Sequence, residues 1–315
     1  MRRFFDRVLC IALFACVALP VSADTTGGGI TITPAFQDIV LDQTGQEVEF
    51  FATVTNDTTN PVTLRLSVLD FGSLDESGGV AFLGASNDLE RKYSLASWMR
   101  PEKDVVTTVP GETQKIKVTI ENRDSLGPGG HYGALTFTTE DVTQSDGNNN
   151  IAVKQLFSSL VFVKKIGGEI YSLDLSEKEF SYNLMRLPEK IRLRFRNDGN
   201  IHLVPRGIVT VTDPLGRLVA KGIINEESAL ILPETFRVYP VRLKSLATQF
   251  MPGRYTFDIA YRYDGREEFS TVTLTANFIP AIVLVLVLVS VAGIGWYAIR
   301  KYRQTSRKKT LSGPS

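Results

Sequence analysis

The chain has 315 residues, with 35 Lys and Arg against 34 Asp and Glu and a formal net charge of +1. That balance is uneven: residues 1–23 hold three Arg and one Asp, residues 300–315 hold six cations and no acid, and residues 24–277 are left at a net −7. A mildly acidic central region excludes the basic face that nucleic acids need. Both cysteines, Cys10 and Cys16, lie near the N-terminus, so disulfides and thiol chemistry are excluded from the rest.

At the N-terminus, Arg2, Arg3 and Arg7 flank the uncharged stretch Val8 to Leu19, and Val21-Ser22-Ala23 supplies the small residues a signal peptidase accepts. Residues 1–23 are therefore predicted to be a signal peptide. About 12 apolar residues reach only ~18 Å as a helix, short of a ~30 Å hydrocarbon layer, which disfavours an N-terminal anchor. Leu13-Phe14-Ala15-Cys16 loosely imitates a lipidation box and leaves lipidation of Cys16 as an alternative.

Residues 24–277 show almost no helical periodicity. Alternating apolar and polar runs separated by turn residues predict strands over 30–33, 36–42, 47–55, 62–70, 114–120, 131–138 and 151–165. A second set is predicted over 169–175, 190–196, 206–212, 217–222, 236–243, 254–262 and 267–276. About seven strands per half is the count of an Ig-like sandwich. The halves meet near Gly167-Gly168, giving domains at 24–167 and 168–277. An internal repeat supports the division. Pro110-Gly-Glu-Thr precedes Tyr132 as Pro233-Glu-Thr precedes Tyr255, and Asn56-Asp57 and Asn197-Asp198 stand upstream in each half. Tyr132 and Tyr255 are expected to begin strands after Pro-Gly turns, with rings in the core and hydroxyls on nearby backbone, as in a tyrosine corner.

The first copy is longer by 18 residues, assigned to an insertion around 72–105. It carries Tyr93, Trp98, Arg91 and Arg100, the aromatic and Arg side chains that anchor interfaces or sugar platforms. The alternative is that Tyr93 and Trp98 only plug the sandwich. His131 and His202, the only histidines, each sit beside a turn in different halves and are read as structural turn residues, with an exposed recognition loop as the alternative for His202. They form no pair at metal-ligand spacing, so no metal site is expected. Asp141 and Asp146 lack the spacing of a calcium loop. Nucleophile-elbow, phosphate-loop and dinucleotide fingerprints are missing, and neither a cofactor nor an enzymatic activity is expected.

Phe278 to Ile299 is 22 residues without a charge, long enough to span a bilayer as a helix. Trp296 and Tyr297 stand at its far end, and the basic tail 300–315 follows. Cations on that side make the tail cytoplasmic and the chain single-pass type I in the plasma membrane, its ectodomain extracellular. No sortase motif precedes the helix, so the anchor is expected to be retained.

The arrangement resembles the WxL-interacting proteins of Gram-positive surfaces. Matching features are Thr33-Pro-Ala-Phe, Val54-Thr-Asn, Val109-Pro-Gly-Glu with Ile116, Val118 and Ile120, Gly129-Gly-His-Tyr-Gly-Ala-Leu-Thr-Phe, Leu232-Pro-Glu-Thr-Phe and Pro252-Gly-Arg-Tyr-Thr. Asn197-Asp-Gly-Asn-Ile-His-Leu-Val-Pro-Arg-Gly departs from that pattern. The resemblance implies a first domain that contacts peptidoglycan and a second that engages partner surface proteins. A weaker likeness is to pilus-type chaperones, which are soluble. The expected fold is all-β: two tandem Ig-like β-sandwiches plus one C-terminal transmembrane α-helix. The expected function is a membrane-anchored cell-surface scaffold binding wall polymer or a partner surface protein. The alternative is a tethered chaperone-like assembly factor acting by strand addition, favoured if 151–165 is a long uncovered apolar edge.

Overall fold

The computed structural model describes residues 28–42, 45–83, 92–139, 142–146, 149–181 and 183–310. The expected signal segment with Cys10 and Cys16, together with Arg91 and Asp141, lies outside them. The first unit contains β1 (Ile30–Thr33), β2 (Phe36–Leu41), β3 (Glu47–Asn56), β4 (Val62–Ser73), β5 (Val80–Leu83) and β6 (Met99–Pro101). It continues with β7 (Val105–Thr108), β8 (Thr113–Glu121), β9 (Gly129–Thr139), β10 (Val142–Asp146), β11 (Asn149–Val153) and β12 (Leu156–Lys165). One sheet has the order β1-β3-β8-β6; the other runs β2-β12-β9-β4-β5, with β7 also on β4. These ladders are antiparallel except β2 on β12, which is parallel.

Period-two alternation explains the core. Phe50, Ala52 and Val54 of β3 and Ile116, Val118 and Ile120 of β8 all turn inward and are buried. Leu64, Leu66, Leu135 and Phe137 meet them from the opposite sheet. Each of these side chains larger than Ala52 stabilises the fold by ~2 kcal/mol on burial. The expected single strand over 151–165 is in fact two, β11 and β12, interrupted at Lys154 and Gln155; β11 turns away to pair with β10 as a separate ribbon.

The second unit contains β13 (Leu173–Phe180), β14 (Lys190–Asn197), β15 (Arg206–Thr212), β16 (Leu218–Ile224), β17 (Phe236–Arg242), β18 (Lys244–Ser245), β19 (Gly253–Arg262) and β20 (Ser270–Phe278). Its sheets are β13-β14-β17 and β18-β16-β15-β19-β20, around Leu193, Phe195, Val211, Phe257 and Ile259. Strand β13 begins four residues after the expected 169. The backbone carbonyls of Ile170 and Ser172 are instead taken by the amides of Asn200 and Asp198, which fix the entry to the domain.

The repeat extends to individual hydrogen bonds. Buried Asn56 donates through Nδ2 to Asn60 O (3.0 Å) and Thr108 O (3.1 Å), and its Oδ1 accepts from Thr58 N (2.9 Å). Buried Asn197 donates to Ile201 O (2.7 Å) and Ile231 O (3.1 Å) and accepts from Gly199 N (2.9 Å). Each asparagine thus ties its own corner to the strand or bridge that follows it in the fold. The pair Val62–Thr108 in the first unit matches the bridge Leu203–Ile231 in the second, so the added residues of the first copy fall between Leu83 and Val105.

The C-terminal helix α1 runs from Ala281 to Thr310. Within its segment Ala281–Arg303, the most apolar 18-residue window has a mean hydropathy of 2.5 and is not buried against the rest of the chain. The span expected from Phe278 starts later, because Phe278 ends β20 and is a core residue. It is 2 % exposed, with its ring 5.4 Å from Tyr255 in an edge-on contact. Only Ile279 and Pro280 separate sandwich from helix.

Candidate functional site

The sequence-predicted residues do not converge on one surface. Trp98 ends a short 3-10 turn, Ala96–Trp98, and lies half-buried against the first core, with the Arg123 guanidinium 5.5 Å from its ring. Arg100 points away and pairs with Glu121, which also holds Arg123. Tyr93 faces the second unit: its hydroxyl donates to Glu234 (2.9 Å), and its ring lies 6.3 Å from Tyr132. Lys92 joins the same carboxylate at 2.6 Å. That contact pushes Lys92 up to about 12 and holds Glu234 below the ordinary carboxylate range.

The insertion and the β4–β5 turn ahead of it therefore form a clasp between the units. Asp70 holds its returning segment, accepting from Ser94 Oγ (2.5 Å), Leu95 N (2.8 Å) and Ala96 N (2.7 Å). In the β4–β5 turn, Glu76 receives Arg194 on both oxygens at 2.8 and 2.5 Å, which lowers the Glu76 pKa, and its carbonyl accepts from Val238 N (2.8 Å). A forked pair of this kind fixes direction as well as charge. Glu76, Lys92, Arg194 and Glu234 carry no local sequence signal, since each comes from a different segment.

The two repeat tyrosines have diverged. Tyr255 makes the expected corner, its hydroxyl donating to Met251 O at 2.8 Å. Tyr132 does not bond nearby backbone; its hydroxyl points out of its own unit to His202 Nδ1 at 3.4 Å. Gly130 makes this possible, because a Cβ there would stand 2.1 Å from that hydroxyl. His202 is buried, 5.5 Å from Phe162 and 5.8 Å from Tyr132 ring to ring, and its Nε2 lies 3.7 Å from Asp38. This contact lowers the Asp38 pKa. His202 is thus a junction residue, and no exposed recognition loop forms around it. His131 is buried between two carbonyls, Gly127 O at 2.7 Å from Nε2 and Ser94 O at 3.2 Å from Nδ1. Burial lowers its pKa, against the opposing effect of the two carbonyls.

Beside this junction lies an open apolar cleft of about 300 Å³. Phe36, Val80, Leu160 and Phe162 line it from the first unit and Leu230 and Leu232 from the second. Arg237 forms one wall, donating to Leu230 O at 2.6 Å. The edge of the six-stranded sheet borders the cleft. There β2 pairs with β12 on one side only, among the described residues. Leu160 N donates to Ala35 O and Ile166 N to Leu41 O, so the parallel ladder uses the amides and carbonyls of alternate residues up to Leu41. The backbone groups of Phe36, Asp38 and Val40 then face outward, and Phe36 and Val40 are 67 % and 52 % exposed.

No family model matches the chain, and no curated protein matches it. Among solved structures it is similar to a chain from a chaperone–tip adhesin complex of CFA/I fimbriae, with a TM-score of 0.41, 13 % identity and coverage of 80 % of this chain and 100 % of that one. The class 5 fimbriae chaperone CfaA gives 0.40, 12 %, 80 % and 100 %, and the E. coli chaperone DraB gives 0.35, 13 %, 79 % and 98 %. At TM-scores below 0.5 these likenesses carry nothing about what this chain binds.

Proposed function

We propose that this is a membrane-anchored surface binding protein whose partner is another exported protein, taken up as an extended segment along β2 with its side chains in the adjoining cleft. The observation that carries the reading is the open edge of β2 beside an apolar cleft. An exposed row of backbone donors and acceptors gives affinity, and a neighbouring apolar pocket gives side-chain preference. Anchoring by α1, with the two β-units outside the cell, puts this edge where exported chains pass. The insertion supports the same reading by holding both walls of the cleft in place.

Strand addition directly on β12 is less favoured, since β2 covers residues 160–165 and β9 lies on the other side. A wall-polymer platform at Trp98 is also less favoured, because its ring packs on the core and under Arg123.

The test is a photo-crosslinking residue at Phe36 in the full chain, irradiated in its own membrane. An adduct with an exported protein is expected, and Val40→Pro, which removes one outward amide, should abolish it. A correctly exported, folded protein that gives no adduct, or an adduct indifferent to Val40→Pro, overturns the proposal.

A further inference from the structure

The end of the second unit that faces the helix has an unusual surface. Three loops meet there. The turn at 183–186 touches the helix entry, since Ile279 N donates to Leu184 O at 2.7 Å. The β15–β16 turn lies against the start of β19: a Cβ on Gly253 would stand 2.9 Å from Pro214 Cγ, and Gly253 pairs with Phe278. The loop before β19 joins them through Phe250, whose ring lies 4.7 Å from the Arg217 guanidinium, and through Leu246 N, which donates to Val219 O at 2.8 Å.

These loop tips expose large apolar side chains: Leu184 at 44 %, Met185 at 51 %, Leu215 at 62 % and Phe250 at 44 %. Across 183–189, 213–217 and 246–254 the charged residues are Arg186, Arg217 and Arg254 against Asp213 and Glu189. Asp213 is spent inside its own turn, bound by the amides of Leu215 and Arg217 and by the Arg217 guanidinium. With Arg217 spent on Asp213, Arg186 and Arg254 remain against Glu189, so this apolar-tipped surface is slightly cationic on a region whose net charge is −7.

The linker decides what covers it. Phe278 is locked in the sandwich core and the helix begins at Ala281, three backbone steps or at most ~11 Å further on, and Ile279 between them is itself held by Leu184 O. A helix that enters the hydrocarbon at Ala281 must bring these loops into the headgroup layer, which is ~5–8 Å deep on each side of the core.

We propose that this end of the second unit docks on the bilayer, with Leu184, Met185, Leu215 and Phe250 in the interface and Arg186 and Arg254 on anionic lipid headgroups. This rests on the membrane-anchored reading. Apolar tips gain by leaving water, and guanidinium groups pair with phosphate in forked geometry. The ectodomain is then held at a fixed attitude to the surface and does not swing on a tether.

Residues 24–315 contain no cysteine, so single thiols can be placed cleanly. The test uses that chain reconstituted in vesicles of phosphatidylcholine with a minority of phosphatidylglycerol, carrying an environment-sensitive dye on Leu215→Cys, Val109→Cys or Val289→Cys. Shallow nitroxide lipids are expected to quench the dye at 215 and not at 109, while deep ones quench it at 289. Arg186→Gln with Arg254→Gln, or high salt, should reduce quenching at 215. Quenching at 289 with none at 215 overturns the docking and leaves the anchor standing. No quenching at 289 overturns the anchor itself. Protection of 215 in native membranes but not in pure lipid overturns the lipid assignment in favour of a protein neighbour.

Discussion

At the scale of single residues, Trp98 and His131 show how position decides role. Trp98 packs against the first core and under Arg123, so Trp98→Ala should destabilise the first unit by about 2 kcal/mol, less than for a fully buried ring. Urea unfolding of the protein measures this; an unchanged midpoint would place Trp98 outside the core. His131 makes a pH prediction. Its folded pKa lies below the usual 6.5, so the unfolded chain takes up a proton first as pH falls. Stability is fully present above about 6.5 and declines as pH drops through the folded value. His131→Gln, which cannot titrate, should flatten that decline in a pH series of melting curves.

At the scale of elements, the long strands were legible because both faces are defined: β3, β8, β14 and β19 alternate cleanly between core and water. The short strands β5, β6 and β7 were not, since three or four residues give too few periods to stand out from loop sequence. Strand β13 was misplaced because Ile170 and Tyr171 continue its apolar pattern backwards, although their backbone belongs to the linker. The site was less legible than the fold. Phe36 lay in the motif Thr33-Pro-Ala-Phe without any sign that β2 is an edge, because edges are set by which strands meet in space. Val40→Pro tests that placement separately from binding. It removes an outward amide, so the stability of the first unit should stay within about 0.5 kcal/mol, whereas a ladder position would cost several times more.

At the scale of the whole molecule, the insertion gives a duplicated plan an asymmetric joint. Glu76 and Glu234 both have lowered pKa values, set by Arg194 and by Lys92, and Asp38 has one set by His202. Their contribution is present above the ordinary carboxylate range and lost as pH falls through the folded values. Glu76→Gln combined with Glu234→Gln should broaden the distance distribution between spin labels on the two units at neutral pH, while each unit unfolds as before. A distribution as narrow as in the parent would mean that the Tyr132–His202 contact holds the joint without the clasp.

The parallel ladder of β2 on β12 has a mechanical consequence. Strand β12 continues directly into the second unit and from there to the helix. If a segment is seated along β2 as proposed, a pull on it passes through the β2–β12 ladder on its way to α1. The bonds of the ladder are loaded together in shear, and none is peeled ahead of the others. On the proposed reading, such a seat resists tension between the membrane and the bound segment.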